Sequence, residues 1–123
     1  MTITLWVLQI LLALAFAAHG WMFLAPPAGM VEQINAAISP GFRLFIGAAE
    51  VAAAVGLIVP GLLRIQPWLV PAAAAGLAIV MISATIFHLS RAEWSAAAVT
   101  TVLLIIATFV AYGRWRIRPI TAR

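Results

Sequence analysis

Four apolar segments of about twenty residues each constrain the fold of this chain more than any other feature, because that is the length a helix needs to cross the hydrocarbon core of a bilayer. Apolar residues make up 66% of the sequence and charged residues only 8%, whereas a soluble domain carries about a quarter charged residues. Lipid must therefore be the solvent for most of the chain. The sequence predicts an all-α fold, a four-transmembrane-helix bundle that forms one integral membrane domain over residues 1–123.

Short polar or proline-containing turns separate the predicted spans. The spans cover residues 3–24, 42–63, 68–89 and 94–112, and an arginine-rich tail follows at 113–123. Pro26 and Pro27 end the first span, since proline cannot continue a helix. Met30, Ile34 and Ile38 then recur at every fourth residue, which predicts a short interfacial helix between the first two spans.

Charged residues predict the orientation of these spans. The basic side chains are all arginines, and most lie in the tail or in the loop between the second and third spans: Arg64, Arg114, Arg116, Arg118 and Arg123. The other face carries Arg43 and Arg91, offset by Glu32 and Glu93. Because arginine excess marks the cytoplasmic side, both termini are expected in the cytoplasm of a multi-pass inner-membrane protein. Arginines at span ends give no reason to expect nucleic-acid binding.

Glu50 is the polar residue most deeply placed in a predicted span. It lies roughly 12 Å below the outer surface, at about 1.5 Å per residue, and an ionisable group at such a depth usually marks a functional path or a paired site. The alternative is a carboxyl that only joins helices. With both termini inside, His19, Arg43 and His88 belong to the same outer half, and the inner half has no comparable cluster. These four are the candidate ligand-binding or proton-linked residues, with Arg43 expected to extend towards the headgroups.

Small residues in the second span predict a close contact between helices. Gly47 and a row with small-xxx-small spacing are expected to face another helix rather than lipid. The row comprises Ala48, Ala52 and Gly56. Gln9 and Thr85 are expected to form hydrogen bonds between helices.

Several kinds of chemistry find no support in the sequence. The chain has no cysteine, so disulfides and thiolate metal sites are excluded, and redox chemistry would need a bound cofactor or a partner. His19 and His88 are not expected to bind haem, because His88 lies at the rim of its span, and their different depths argue against a metal site with Glu50. No catalytic motif is recognisable, which favours a non-catalytic subunit.

Short motifs follow one another in an order typical of one known family. They are Ala17-Ala18-His19-Gly20, the stretch from Phe42 to Glu50 with its Gly-x-x-Glu element, Gly56 to Pro60, Pro67-Trp68-Leu69, and Ala84 to His88. In these features the whole chain resembles the DoxX-like family of small bacterial four-helix membrane proteins. One departure is visible, because members often carry a lysine shortly after the first-span glycine, and here that stretch reads Trp21-Met22-Phe23. The resemblance points to Gly47 and Glu50 as family positions.

The resemblance also implies a link to redox chemistry, since the family is named after a quinone-linked sulfur-oxidising complex and other members look like membrane partners of redox enzymes. The leading hypothesis is an accessory or membrane-anchor subunit that holds a quinone or a similar apolar ligand in an outer-half pocket around Glu50 and has a membrane or peripheral redox protein as partner. A proton-coupled small-molecule transporter is the alternative, although the one-sided arginines count against it. A purely structural or assembly protein, and a homo-oligomer, stay open as well.

Overall fold

The computed structural model describes all residues from Met1 to Arg123 and contains helices but no strand. The helices are α1 (Thr2–Leu24), α2 (Val31–Ala37), α3 (Pro40–Leu63), α4 (Leu69–Ser90) and α5 (Trp94–Tyr112), and a π-helical turn over Gly113–Ile117 extends α5. All but α2 are long and apolar enough to cross a membrane. The predicted all-α bundle of four spans, with a short helix between the first two, is confirmed.

The start of α3 shows how local chemistry places a residue of the candidate site. Ser39 has an extended backbone, and its Oγ accepts a hydrogen bond from the Phe42 amide, as an N-cap serine does. Pro40 takes the first helical position, where its missing N–H costs nothing. α3 therefore begins at Pro40 rather than at residue 42, and Arg43 lies in its first turn.

The four spans form two tightly packed pairs. α1 packs mainly on α3 and α4 mainly on α5, while α3 and α4 join the pairs. The core contains side chains from every span: Leu12, Phe16, Leu57, Ala74, Leu77, Met81, Ala107 and Val110. Because neighbouring spans are antiparallel, both termini lie at one end of the bundle, which we call the tail end. The opposite end, which carries α2 and the α4–α5 turn, is called the His19 end.

The outer surface of the bundle is apolar. Only 22 of the 123 residues are buried, and large apolar side chains are exposed on every span, for example Ile3, Phe45, Ile86 and Ile105. Water would not stabilise such a surface, whereas hydrocarbon does, and the helices satisfy their own backbone hydrogen bonds as a bilayer requires. The spans are therefore in contact with lipid.

The side of α3 that packs against other helices differs from the predicted one. Its buried residues are Arg43, Gly47, Glu50, Ala54, Leu57 and Gly61. Ala48 and Ala52 are exposed, so the prediction that they face another helix of this chain is wrong. Gly56 does face α4, since a Cβ added there would lie 3.0 Å from the Cβ of Ala73. The buried stripe follows alternating steps of three and four residues, and a row of constant four-residue steps departs from it.

Candidate functional site

His19 of α1 and Glu50 of α3 meet inside the His19 end of the bundle. The His19 Nδ1 lies 2.6 Å from the Glu50 Oε2, a hydrogen-bonding distance. The Glu50 side chain is 1% exposed, whereas that of His19 is 46% exposed. The structure thus joins two of the predicted site residues, and the imidazole connects a buried carboxyl to the surface of the bundle.

Two glycines allow this meeting. A Cβ added at Gly20 would lie 2.8 Å from the carbonyl oxygen of Gly47, and one added at Gly47 would lie 2.8 Å from the carbonyl oxygen of Gly20. Real Cβ contacts are not that short, so α1 and α3 approach backbone to backbone only because both residues lack a side chain. Gly20 follows His19 directly, and Gly47 is one turn before Glu50. The glycine contact therefore sets the separation of the imidazole and the carboxyl.

Arg43 forms a different link between α1, α2 and α3. Its Nη1 donates a hydrogen bond to the carbonyl oxygen of Phe23, and its Nε donates to the Asn35 Oδ1 at 3.2 Å. The residue is buried, so the expectation that it extends towards the headgroups is wrong. The physical reason is that carbonyls in the last turn of α1 have no helical partner and attract a cation. The Phe23 ring in turn packs against the His19 ring, with centroids 4.5 Å apart.

His88 lies apart from His19 and Glu50. Its Nδ1 is 3.0 Å from the Glu93 Oε1, in the turn between α4 and α5, and the Arg91 Nε is 3.3 Å from the same oxygen. The hydrogen bond from His88 lowers the pKa of Glu93 below its ordinary value of 4.5, and the charge of Arg91 acts in the same direction. The four candidate residues therefore do not form one cluster, and no three His, Asp or Glu side chains are placed to hold a metal ion.

Arg114 is the polar residue that sequence reasoning missed. It belongs to the predicted tail, yet it is only 3% exposed. Its Nε donates to the Gln9 Oε1 at 2.5 Å, and the Gln9 Nε2 donates to the Leu57 carbonyl at 2.7 Å. Its guanidinium also lies over the Trp6 ring, 5.1 Å from the centroid. The expectation that this half of the bundle has no cluster comparable to that of the other half is wrong, because the π-helical turn carries Arg114 back over α1.

Gln9 was the one sequence signal for this second cluster, since a lone amide in an apolar span needs a partner. Its hydrogen bond to α3 confirms the prediction for that residue. Thr85 likewise bonds Thr100 of α5, with 2.8 Å between their Oγ1 atoms. The pattern could not name Arg114 as the partner of Gln9, because arginine after the end of a span is also typical of a residue that only anchors at the interface.

The fold and the buried carboxyl–imidazole pair define the class of this protein, a small four-span helical membrane protein with an ionisable pair inside its bundle. The sequence model of the DoxX-like family matches residues 7–110, and the chain belongs to that family. The matched region contains His19, Gly47, Glu50 and His88 and ends before Arg114. No curated protein and no solved structure matches the chain.

Proposed function

We propose that this protein is an accessory or membrane-anchor subunit of a redox system and that it binds a quinone beside His19 and Glu50. One observation carries the binding site, namely the buried Glu50 carboxyl 2.6 Å from a half-exposed imidazole. The hydrogen bond occupies Nδ1 and leaves Nε2 of His19 for another partner. An apolar quinone dissolves in the membrane, so the ligand would approach this site from the lipid. The redox context rests on the family to which the chain belongs.

The protonation of the pair would decide which form of the ligand it prefers. When the pair holds one exchangeable proton, on Nδ1, the Nε2 of His19 can only accept a hydrogen bond, and it suits the hydroxyl of a quinol. When the pair holds a second proton, Nε2–H donates, and it suits the carbonyl oxygen of a quinone. Glu50 would then be a positioning residue, since it holds the ring without touching the ligand.

The test is binding of a short-chain benzoquinone to the purified protein in lipid nanodiscs, corrected for uptake by empty discs. His19→Phe keeps a ring against Phe23 but removes Nε2, and it should weaken binding about tenfold or more. His88→Phe is the matched control, since His88 also pairs with a glutamate but elsewhere, and it should leave binding unchanged. Equal affinity in wild type and His19→Phe would refute the site and favour a structural role for the pair.

The Glu50 variants separate positioning from packing. Glu50→Gln can still hold Nδ1 through its amide, so it should retain quinone binding. Glu50→Ala should lose most of the binding. If Glu50→Ala lowers stability but binds quinone as well as the parent, Glu50 only joins α1 to α3.

We also propose that the tail end faces the cytoplasm of a bacterial inner membrane. The support is that five of the seven arginines belong to this end while every acidic side chain belongs to the His19 end. C-terminal fusions to alkaline phosphatase and to a fluorescent protein test the orientation. A fluorescent, phosphatase-inactive result is expected, and the reverse result would invert the topology.

The accessory role is tested by crosslinking in native membranes followed by mass spectrometry. A subunit of a redox enzyme should be crosslinked reproducibly to this chain, with an unrelated four-span protein of similar abundance as the control. Crosslinks to copies of this chain alone would contradict the accessory role without affecting the quinone site.

A further inference from the structure

A groove of about 420 Å³ lies at the tail end of the bundle. Its lining includes Trp68 at the start of α4 and Pro119 and Ala122 of the irregular C-terminal segment. Arg114 and Trp115 of the π-helical turn also line it. The volume falls within the range of about 300–1,000 Å³ that is typical of sites for small ligands.

Arg114 brings an unmet hydrogen-bond donor to this groove. Its Nε donates to Gln9 and its Nη1 donates to the carbonyl oxygen of Arg118, at 3.2 Å. Its Nη2 is buried and has no partner within the chain. Buried polar groups are almost always paired, and a guanidinium nitrogen carries part of a full positive charge, so this position calls for an acceptor that is itself anionic.

The charge of the tail end agrees with an anionic ligand. Arg116, Arg118, Arg64 and Arg123 accompany Arg114 there, and the glutamates of the chain are all placed towards the other end. Tryptophans such as those that flank the groove favour the depth of the lipid headgroups. Basic pockets at the ends of transmembrane helices bind the headgroups of anionic lipids.

We propose that this groove binds the phosphate of an anionic phospholipid. Nη2 of Arg114 donates to a phosphate oxygen, since a guanidinium matches the geometry of phosphate. Trp68 and Trp115, which line the groove, contact the headgroup, and the acyl chains continue along the apolar surface of the bundle. This site is at the opposite end from His19 and is independent of quinone binding.

The C-terminal segment forms part of the lining of the groove and is held to the end of α3. Arg64 holds the segment through hydrogen bonds from its Nε and Nη2 to the carbonyl oxygen and Oγ1 of Thr121. Ile120 packs beside Gly61, where an added Cβ would lie 2.9 Å from its Cδ1. Because Nη2 of Arg114 is buried, a phosphate reaches it only when the lining of the groove shifts, and lipid binding should therefore order that lining in a new position.

The experiment is native mass spectrometry of the full chain released from nanodiscs that contain phosphatidylglycerol and phosphatidylcholine with identical acyl chains. The wild type should retain phosphatidylglycerol over phosphatidylcholine by about fivefold or more, because both lipids carry the phosphate but phosphatidylcholine adds a choline cation that the arginines of the tail end repel. Arg114→Gln should abolish this preference. Equal retention of the two lipids by the wild type would overturn the proposal.

Two further variants keep the test decisive if Arg114→Gln fails to fold. Ala122→Trp fills the groove from its exposed wall and leaves the Arg114–Gln9 contact in place, so it should also abolish the preference. Ala36→Trp, on the exposed surface of α2, is the matched control and should retain it. An unchanged preference in Ala122→Trp would place the lipid elsewhere and overturn the proposal.

Inorganic phosphate distinguishes a lipid from a free anion. The lipid-free protein is titrated with phosphate alone and followed by tryptophan fluorescence. No saturable signal is expected, because free phosphate lacks the acyl chains that hold a lipid headgroup in the groove. A saturable signal that Ala122→Trp removes would show a site for free phosphate and would overturn the assignment to a lipid.

Discussion

Replacing Gly47 with alanine should destabilise the bundle and lengthen the hydrogen bond between His19 and Glu50. The new Cβ would lie 2.8 Å from the Gly20 carbonyl oxygen and 3.0 Å from the Leu24 Cγ, whereas ordinary contacts are 3.4–4 Å. The nearest atom is backbone and cannot rotate away. α1 and α3 must therefore move apart by about half an ångström, and overpacking of this kind costs about 1–3 kcal/mol.

Gly76→Ala supplies the control for this change. Gly76 is also in the middle of a span, but an added Cβ there would meet nothing within 4 Å. Alanine has the higher helix propensity, so this variant should gain up to about 1 kcal/mol, and the same gain is present in Gly47→Ala. The difference between the two variants therefore isolates the cost of the clash.

The assay is reversible unfolding in mixed micelles with increasing SDS, with the free energy of unfolding compared among wild type, Gly47→Ala and Gly76→Ala. Gly47→Ala should be less stable than Gly76→Ala by about 1–3 kcal/mol. It should also bind the short-chain benzoquinone more weakly, because the 2.6 Å hydrogen bond that holds the imidazole lengthens and weakens. If the two variants are equally stable, α1 and α3 do not touch at Gly47, and the geometry of the pair has another cause.

Three further predictions follow from individual contacts. Ala52→Leu should change the free energy of unfolding by less than about 0.5 kcal/mol, because Ala52 is exposed to lipid; a loss of about 1–3 kcal/mol would restore the original packing prediction. Arg43→Leu should cost about 1–3 kcal/mol in the same assay, since it leaves the Phe23 carbonyl without its donor, and a neutral result would show that Arg43 is solvated. The pairing of Glu93 with His88 lowers the Glu93 pKa, so its contribution to stability should be complete above pH 4.5 and should disappear as the pH falls through the lowered pKa. Melting curves of wild type and Glu93→Gln over that acid range test this, and an identical acid dependence in both would contradict it.

The spans could be predicted from sequence because one large free energy determines them. Transfer of some twenty apolar residues into hydrocarbon outweighs local preferences, so α5 occupies the predicted residues 94–112. Boundaries depend on weaker effects, as the Ser39 cap and Pro40 show at the start of α3.

Helix faces were harder to predict, for a reason specific to membranes. In water, an amphipathic pattern distinguishes the packed face from the solvated face, but lipid is as apolar as the core, and this contrast is lost. In α3, alanines occupy both the packed and the exposed side, so the Ala48 and Ala52 row looked no different from the true contact at Gly47. The backbone contact with Gly20 is visible only once α1 and α3 are placed side by side.

Part of the candidate site could be predicted from the depth of each residue in its span and from the direction in which the span crosses the membrane. Glu50 and His19 were placed in the same half by counting residues from span ends, and the structure joins them. His88 lies in the same half by that count, but it pairs with Glu93 in the turn after α4. The depth of a residue does not tell which partner its side chain bonds. The burial of Arg114 could not be predicted, because a π-helical turn rather than an extended tail follows α5. Such a turn has no clear sequence signature.

Nitrogen NMR of isotope-labelled histidine tests most directly whether His19 presents Nε2 to a quinone. The chain contains two histidines, so His88 is an internal control in the same spectrum, and His19→Phe assigns the signals. Addition of the short-chain benzoquinone in nanodiscs should shift the Nε2 resonance of His19 while its Nδ1 stays bonded to Glu50 and both His88 nitrogens stay unchanged. Unmoved His19 resonances at saturating quinone, or a shift confined to His88, would contradict the proposed site.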